Sequence, residues 1–79
     1  MTPDEEWKMR HQIVKARLMG AIQSSGMTVA QVAQKAAINR ITLYMLMEEK
    51  QFRFPRLDTA IGLAHALEIS LDWLCGLEG

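Results

Sequence analysis

Apolar and polar residues alternate along this chain with the period of an α-helix, in stripes separated by short polar or glycine-containing segments. The pattern predicts five helices, over about residues 4–24, 28–36, 39–48, 57–67 and 70–75. Leu, Ala, Met and Ile dominate the composition while Gly and Pro are few, so the predicted fold class is all-α. The stripes that we expect to face inward are Val14, Leu18, Ala21 and Ile22, then Val32, Ala33 and Ala36, then Leu43 and Leu46, and then Leu57, Ile61, Ala64 and Leu67.

Capping residues mark the ends of these helices. Thr28, Asn39 and Ser70 each precede an apolar stripe and carry a side-chain oxygen that can accept a hydrogen bond from a free backbone N–H. Gly26 follows the first stripe and suits the left-handed end of a helix. Ala37 stands in the turn between the second and third helices. A residue other than glycine costs about 1 kcal/mol in a left-handed turn, so we expect this turn to be either strained or differently shaped.

Residues 28–46 predict two short helices joined by a tight turn. Ala33 leaves no bulk where a second helix would have to cross the first, and Ile38 fills the turn. Leu43 and Leu46 then form the inner face of the second helix. This is the helix-turn-helix arrangement, whose second helix enters the major groove of duplex DNA.

Three segments carry a resemblance to a known family: residues 26–28 followed by Val32 and Ala33, residues 38–43, and the close of the chain at 64–76. In this order and spacing the chain resembles the lambda-repressor-like (XRE, Cro-type) DNA-binding domains over about residues 14–76. The resemblance implies a compact five-helix domain in which helices two and three form the helix-turn-helix, and the predicted first helix extends beyond that domain. It also implies a phage- or plasmid-type transcriptional regulator that binds duplex DNA as a homodimer.

The resemblance further implies which side chains would contact DNA. Arg40 could fork onto the O6/N7 edge of guanine, and Ile41 could pack on a thymine methyl group. The residues implied to face bases are Arg40, Ile41, Tyr44 and Met45. The residues implied to contact phosphates are Thr28, Lys35, Asn39, Thr42, Lys50, Arg53 and Arg56.

Several positions depart from the family pattern, among them Val29, Ala37, Met47 and Glu49. The outward side of the third helix is apolar and rich in methionine, which is more typical of a protein-binding surface than of a groove reader. An alternative hypothesis is therefore an antirepressor or other regulator that keeps the fold but binds a repressor protein. The candidate dimer or partner contacts are Trp7, Ile13, Phe52, Phe54, Trp73 and Leu77, although the two phenylalanines could equally close the core of the domain.

The length and the charge of the chain restrict these functional hypotheses. The 79 residues correspond to a single domain spanning 1–79, and a hydrophobic fraction of 49% favours a folded chain. Nine basic and nine acidic residues cancel, which weighs against nucleic acid because phosphate binding needs clustered cations. The distribution is uneven, however: residues 27–56 carry five basic and two acidic residues, whereas 57–79 carry four acidic residues and no Lys or Arg.

Other chemistry has little support in the sequence. A single cysteine, Cys75, forms no disulfide within the chain and predicts a reducing, cytoplasmic location. No apolar run approaches the ~20 residues of a membrane span. His11 and His65 lie on different predicted helices, with no nucleophile or metal-ligand partner at informative spacing. We therefore expect no enzyme activity, no metal, no cofactor and no membrane partner.

Overall fold

The computed structural model describes residues 2–48 and 54–77, and five α-helices account for most of them. They are α1 (Pro3–Ser25), α2 (Val29–Ala36), α3 (Arg40–Met47), α4 (Leu57–Leu67) and α5 (Leu71–Leu74). The described ranges contain no strand. The predicted all-α class is confirmed, and the helix boundaries agree with the predicted ones to within one residue.

Helix α1 is held at its start by a cap that the sequence analysis did not identify. The side-chain oxygen of Thr2 accepts from the backbone N–H of Glu5, and the Glu5 carboxylate accepts from the backbone N–H of Thr2. Pro3 follows as the first helical residue, where its missing N–H costs nothing. Gly26 ends the helix at φ 73°, in the predicted left-handed conformation.

The core is shared by all five helices. The side chains of Val32, Leu43, Leu63 and Leu74, one from each of α2 to α5, are fully buried, and Leu18 of α1 packs with them. On α1 the predicted stripe is buried at positions 14, 18 and 22, whereas position 21 is only half-buried. The stripe also extends back to the buried residue at position 11, so the first two turns of α1 lie beyond the core.

The rotation of α4 about its axis differs from the predicted one. Leu57 and Ile61, expected to face inward, are 70% and 51% exposed, while Ala60 and Leu63 are buried in their place. The helix is apolar on nearly every side, so periodicity alone does not choose the buried face. The close packing of Gly62 against the end of α2 sets the rotation instead.

The turn between α2 and α3 takes the strained, left-handed form of the two that the sequence left open. Ala37 adopts φ 59° and ψ 40°, and the N–H of Ile38 reaches back to the carbonyl oxygen of Ala33 at 3.0 Å. Ile38 is half-buried against the core. Asn39 then caps α3, its side-chain oxygen accepting from the N–H of Ile41 at 2.8 Å. The three-residue connection therefore closes one helix and starts the next.

The turn between α4 and α5 repeats this geometry. Glu68 adopts φ 57°, and the N–H of Ile69 donates to the carbonyl oxygen of Ala64 at 3.0 Å. Ile69 packs against the core, and Ser70 caps α5 by accepting from the N–H of Trp73. The left-handed Glu68 was not predicted, because no glycine or asparagine marks the position.

Candidate functional site

The outward side of α3 is the candidate site. Leu43 and Leu46 are buried, which turns Arg40, Ile41 and Tyr44 toward solvent; we call these three residues the outer face of α3. Ile41 is 65% exposed and Tyr44 is 53% exposed. The prediction that these side chains are accessible is therefore confirmed, whereas what they contact stays a prediction.

Met45 is less accessible than predicted, since it is half-buried. Tyr44 and Met45 stand at the same angle from the inward direction that Leu43 and Leu46 define, so packing against neighbouring elements, not helical spacing, makes Met45 the more covered of the two. Met45 therefore borders the outer face of α3 rather than standing at its centre.

Thr28 and Asn39, two of the predicted phosphate contacts, cap α2 and α3. Thr28 accepts from the N–H of Gln31 at 3.1 Å, and the Gln31 side chain accepts from the N–H of Thr28 at 2.8 Å. Thr28 and Asn39 are both exposed. Capping occupies the side-chain oxygens as acceptors, but the hydroxyl hydrogen of Thr28 and the amide NH₂ of Asn39 are donors. Both residues keep the chemistry required of the predicted phosphate contacts.

Of the other five predicted phosphate contacts, three lie within the residues that the structure describes. Lys35 and Thr42 are exposed, at the end of α2 and the start of α3. Arg56 lies 3.6 Å from Asp58 between atoms Nε and Oδ1, with both side chains largely exposed, and such surface pairs contribute little stability. Lys50, Arg53 and the candidate contact Phe52 lie outside the described residues.

Two side chains of helix α1 donate hydrogen bonds to the ends of α3 and α5. The Lys15 ammonium donates to the backbone carbonyl of Glu48, directly after the end of α3. The Arg17 guanidinium donates to the backbone carbonyl of Trp73 and lies 4.9 Å from the centre of its ring. Trp73, a candidate partner contact, is thus half-buried against α1. These contacts fix α3 and α5 relative to α1.

Phe54 packs on helix α1, and its role as a partner contact stays a prediction. Its ring packs edge-on against Trp7, with centroids 6.0 Å apart, and against His11, with centroids 5.4 Å apart. Phe54 and Trp7 nevertheless remain substantially exposed. His11 is buried beneath them, and its spacing from Val14 on the core stripe is the signal that would have identified it.

Ile13 and Leu77, the two remaining candidate partner contacts, lie near each other. Ile13 of α1 faces Gly76, since a β-carbon built at position 76 would lie 3.0 Å from Cγ2 of Ile13. Leu77 follows Gly76 and is strongly exposed. Ile13 and Leu77 thus contribute to one apolar area beside α1.

A groove of about 910 Å³ lies between the second half of α1 and the α4–α5 turn. Gly20 of α1 and Trp73 of α5 are among the residues that line it. Its charged lining residues are Arg17, Lys35 and Glu68, which carry both signs. The groove therefore favours no single class of charged ligand.

No group of three or more His, Cys, Asp or Glu side chains in residues 2–48 and 54–77 is placed to hold a metal ion. Within the same ranges, no helix combines the length and the apolar composition needed to cross a bilayer. Comparison of the chain with family models, with curated proteins and with solved structures returns no match.

Proposed function

We propose that this chain is a small transcriptional regulator that binds duplex DNA as a dimer, with α2 and α3 acting as a helix-turn-helix in a lambda-repressor-like domain. The observation that carries the proposal is the exposed outer face of α3, which begins with Arg40, together with the exposed capping residues Thr28 and Asn39 at the starts of α2 and α3. A helix presented in this way can enter the major groove while the residues beside it contact the backbone.

Each residue of the face has a distinct role in this proposal. Arg40 donates two hydrogen bonds to the O6 and N7 atoms of one guanine. Ile41 packs on a thymine methyl group, and the Tyr44 hydroxyl donates to a phosphate or a base edge. Met45 borders these contacts. Base recognition therefore depends chiefly on one charged side chain and two large ones.

The phosphate contacts position the face on the duplex. Thr28 lies at the N-terminus of α2, where free N–H groups and the helix dipole favour an anion. Lys35 and Arg56 add positive charge on exposed side chains. With a net charge of zero over the whole chain, binding to random duplexes is weak and the cognate sequence matters strongly. A reducing, cytoplasmic location fits this role and the single cysteine.

The test begins with selection from a randomised duplex pool at low salt, because the operator is unknown. The selected duplex is then titrated with Arg40→Ala and with Arg10→Ala, which removes one positive charge from α1. Arg40→Ala should weaken binding by about 1–3 kcal/mol and relax the preference at one base pair. Arg10→Ala should leave the sequence preference unchanged. Failure of the pool to enrich any sequence would overturn the proposal.

A second candidate function is favoured by the composition of α3. Arg40 is the one charged residue among the eight of this helix, and Ile41 and Tyr44 are exposed beside it. Such a surface also suits an antirepressor that covers a repressor protein. In that case Ile41→Glu would abolish retention of the purified repressor in a pull-down, whereas Arg40→Ala would not. Ile61→Glu, which changes a comparably exposed residue of α4, is the control.

A further inference from the structure

Three side chains along one side of α1 hold the connection between α3 and α4 at both of its ends. Trp7, His11 and Lys15 follow one another at intervals of four residues, so they are neighbours on the helix surface; we call them the clamp row of α1. Lys15 donates to the backbone carbonyl of Glu48, directly after α3, and the other two rings pack on Phe54, shortly before α4. One helix therefore holds both ends of the connection.

The end of α3 lacks the local closure that ends α2 and α4. Those two helices end in the left-handed residues Ala37 and Glu68, whose N–H groups each donate back to two carbonyl oxygens of the helix. Helix α3 instead runs into an extended residue, Glu48, whose N–H lies 3.4 Å from the carbonyl oxygen of Met45, longer than an ordinary hydrogen bond. The closure of α3 by its own backbone is therefore the weakest of the three.

The charges at the end of α3 are also unfavourable for the helix. Its last turn contains no basic residue, and Glu48 adds a carboxylate beside the negative end of the helix dipole. The Lys15 ammonium brings a positive charge to this end, together with a hydrogen-bond donor for the carbonyl of Glu48. Lys15 is half-buried, as expected of a lysine whose stem lies along the protein. Helix α1 thus supplies a positive charge that the last turn of α3 itself lacks.

We propose that Lys15 is a positioning residue for DNA recognition: by holding the end of α3, it fixes the angle at which the outer face of α3 meets the duplex. The start of α3 is already fixed by the turn that contains Ile38 and Asn39. The helix is about 12 Å long, so a tilt of about 10° at that turn would move its far end by about 2 Å. Binding residues must be held to within about 0.5 Å. A tilt that leaves the fold intact would therefore disrupt recognition.

The two ends of the outer face of α3 depend on Lys15 to different degrees. Arg40 is the first residue of α3, directly after the fixed turn, whereas Tyr44 lies about one helical turn nearer to the contact with Lys15. Loss of that contact should therefore displace Tyr44 more than Arg40. In a double-mutant cycle, Lys15 should be coupled to Tyr44 and nearly independent of Arg40.

The aromatic end of the clamp row gives the first turns of α1 a role in the same arrangement. Trp7 lies beyond the core and is 60% exposed, yet its ring contacts Phe54. Residues 48 and 54 border the predicted phosphate contacts Lys50 and Arg53, which lie outside the described residues. The clamp row therefore holds the described residue on each side of those two.

The role of Lys15 rests on the proposed function, because Lys15 acts on DNA only through α3. Whether Lys15 holds α3 is a property of the free protein, however, and is measured without a duplex. The contact and its effect on DNA binding can therefore fail separately.

The first experiment follows amide hydrogen exchange by NMR in the chain without DNA. Lys15→Met keeps the stem but removes the ammonium, and it should speed exchange at Leu46 and Met47, in the last turn of α3, by about two- to tenfold. Lys15→Arg keeps a charged donor and should restore slow exchange. Arg10→Met, which removes a positive charge from another side of α1, should change nothing in α3. Unchanged exchange in Lys15→Met, or equal acceleration in α2 and α4, would overturn the proposal.

The second experiment titrates the duplex selected for the parent chain. Lys15→Met should bind it about two- to tenfold more weakly and Lys15→Arg should recover most of the affinity, whereas Arg10→Met should lose only the contribution of one distant charge. Added to Tyr44→Phe, Lys15→Met should cost less than it does alone, and added to Arg40→Ala it should cost the same. Equal losses in Lys15→Met and Arg10→Met would show an effect of charge alone and contradict the positioning role. If no duplex is enriched, the proposed function fails, while hydrogen exchange still decides whether Lys15 holds α3.

Discussion

The backbone of Gly62 lies directly against the carbonyl oxygen of Ala36, so that a β-carbon at position 62 would approach this oxygen to 2.5 Å. Ala36 is the last residue of α2, and Gly62 is in the middle of α4. No real β-carbon tolerates that distance without a shift of the backbone. The glycine therefore permits α2 and α4 to pack with their backbones in contact.

Replacement of Gly62 by alanine should destabilise the protein by about 1–3 kcal/mol, because α2 and α4 must move apart. Gly20→Ala is the matched control in another helix interior, where the new methyl group meets nothing. It should stabilise the chain by about 0.8–1 kcal/mol through helix propensity. Urea unfolding followed by circular dichroism measures both free energies. Changes of the same sign would contradict the close contact of α2 with α4.

A second prediction concerns the left-handed Ala37. Ala37→Gly should raise the free energy of unfolding by about 0.5–1 kcal/mol, because relief of the left-handed strain exceeds the added entropy of the unfolded chain. Ala30→Gly makes the same change at an exposed helical position of α2 and should lower it by about 0.5–1 kcal/mol. Thermal and urea unfolding of the two variants compare them directly. A loss of stability in Ala37→Gly would show that the strain at this turn is negligible.

The cap of α2 gives a third prediction. Thr28→Ala removes the acceptor for the N–H of Gln31 and should cost about 1 kcal/mol of stability. Thr28→Ser keeps the oxygen and should retain most of the free energy of unfolding that Thr28→Ala loses. Unfolding in urea measures the difference. If the two variants are equally stable, the hydroxyl does not support the helix.

Phe54 gives a fourth prediction, because it covers His11 and contacts Trp7. Phe54→Ala should destabilise the chain by about 1–2 kcal/mol, since aromatic pairs contribute about 0.5–1.5 kcal/mol beyond the area that they bury. In a Trp73→Phe background the fluorescence of Trp7 should shift to the red as its ring gains contact with water. Phe54→Leu, which keeps an apolar side chain over His11, should lower the free energy of unfolding by less than Phe54→Ala. An unchanged emission spectrum would mean that Phe54 does not shield Trp7.

The features that the sequence predicts well are local ones. Thr28, Asn39 and Ser70 cap helices with hydrogen bonds that span only a few residues, so their identity and position are sufficient to predict them. The outer face of α3 is similarly predictable, because Leu43 and Leu46 determine which side of an eight-residue helix faces inward.

Features that depend on distant residues were missed. The rotation of α4 follows from the contact of Gly62 with Ala36, which no periodicity within α4 contains. The contact of His11 with Phe54, which is distant in the sequence, was also missed, although the spacing of His11 from Val14 could have placed it on the core stripe. The half-burial of Met45 likewise depends on how α3 packs in three dimensions. The accessible residues of the candidate site were therefore predictable, but their boundary was not.

The repeated turn has a consequence for redesign of the chain. Residues 37–39 and 68–70 join their helices with left-handed residues at φ 59° and 57°, an isoleucine on the core and a capping side chain. Because the two tripeptides have the same backbone form, a chain in which they are exchanged should fold to the same structure. The sequence of α3 beyond residue 39 can then be replaced on its exposed side without altering the connection.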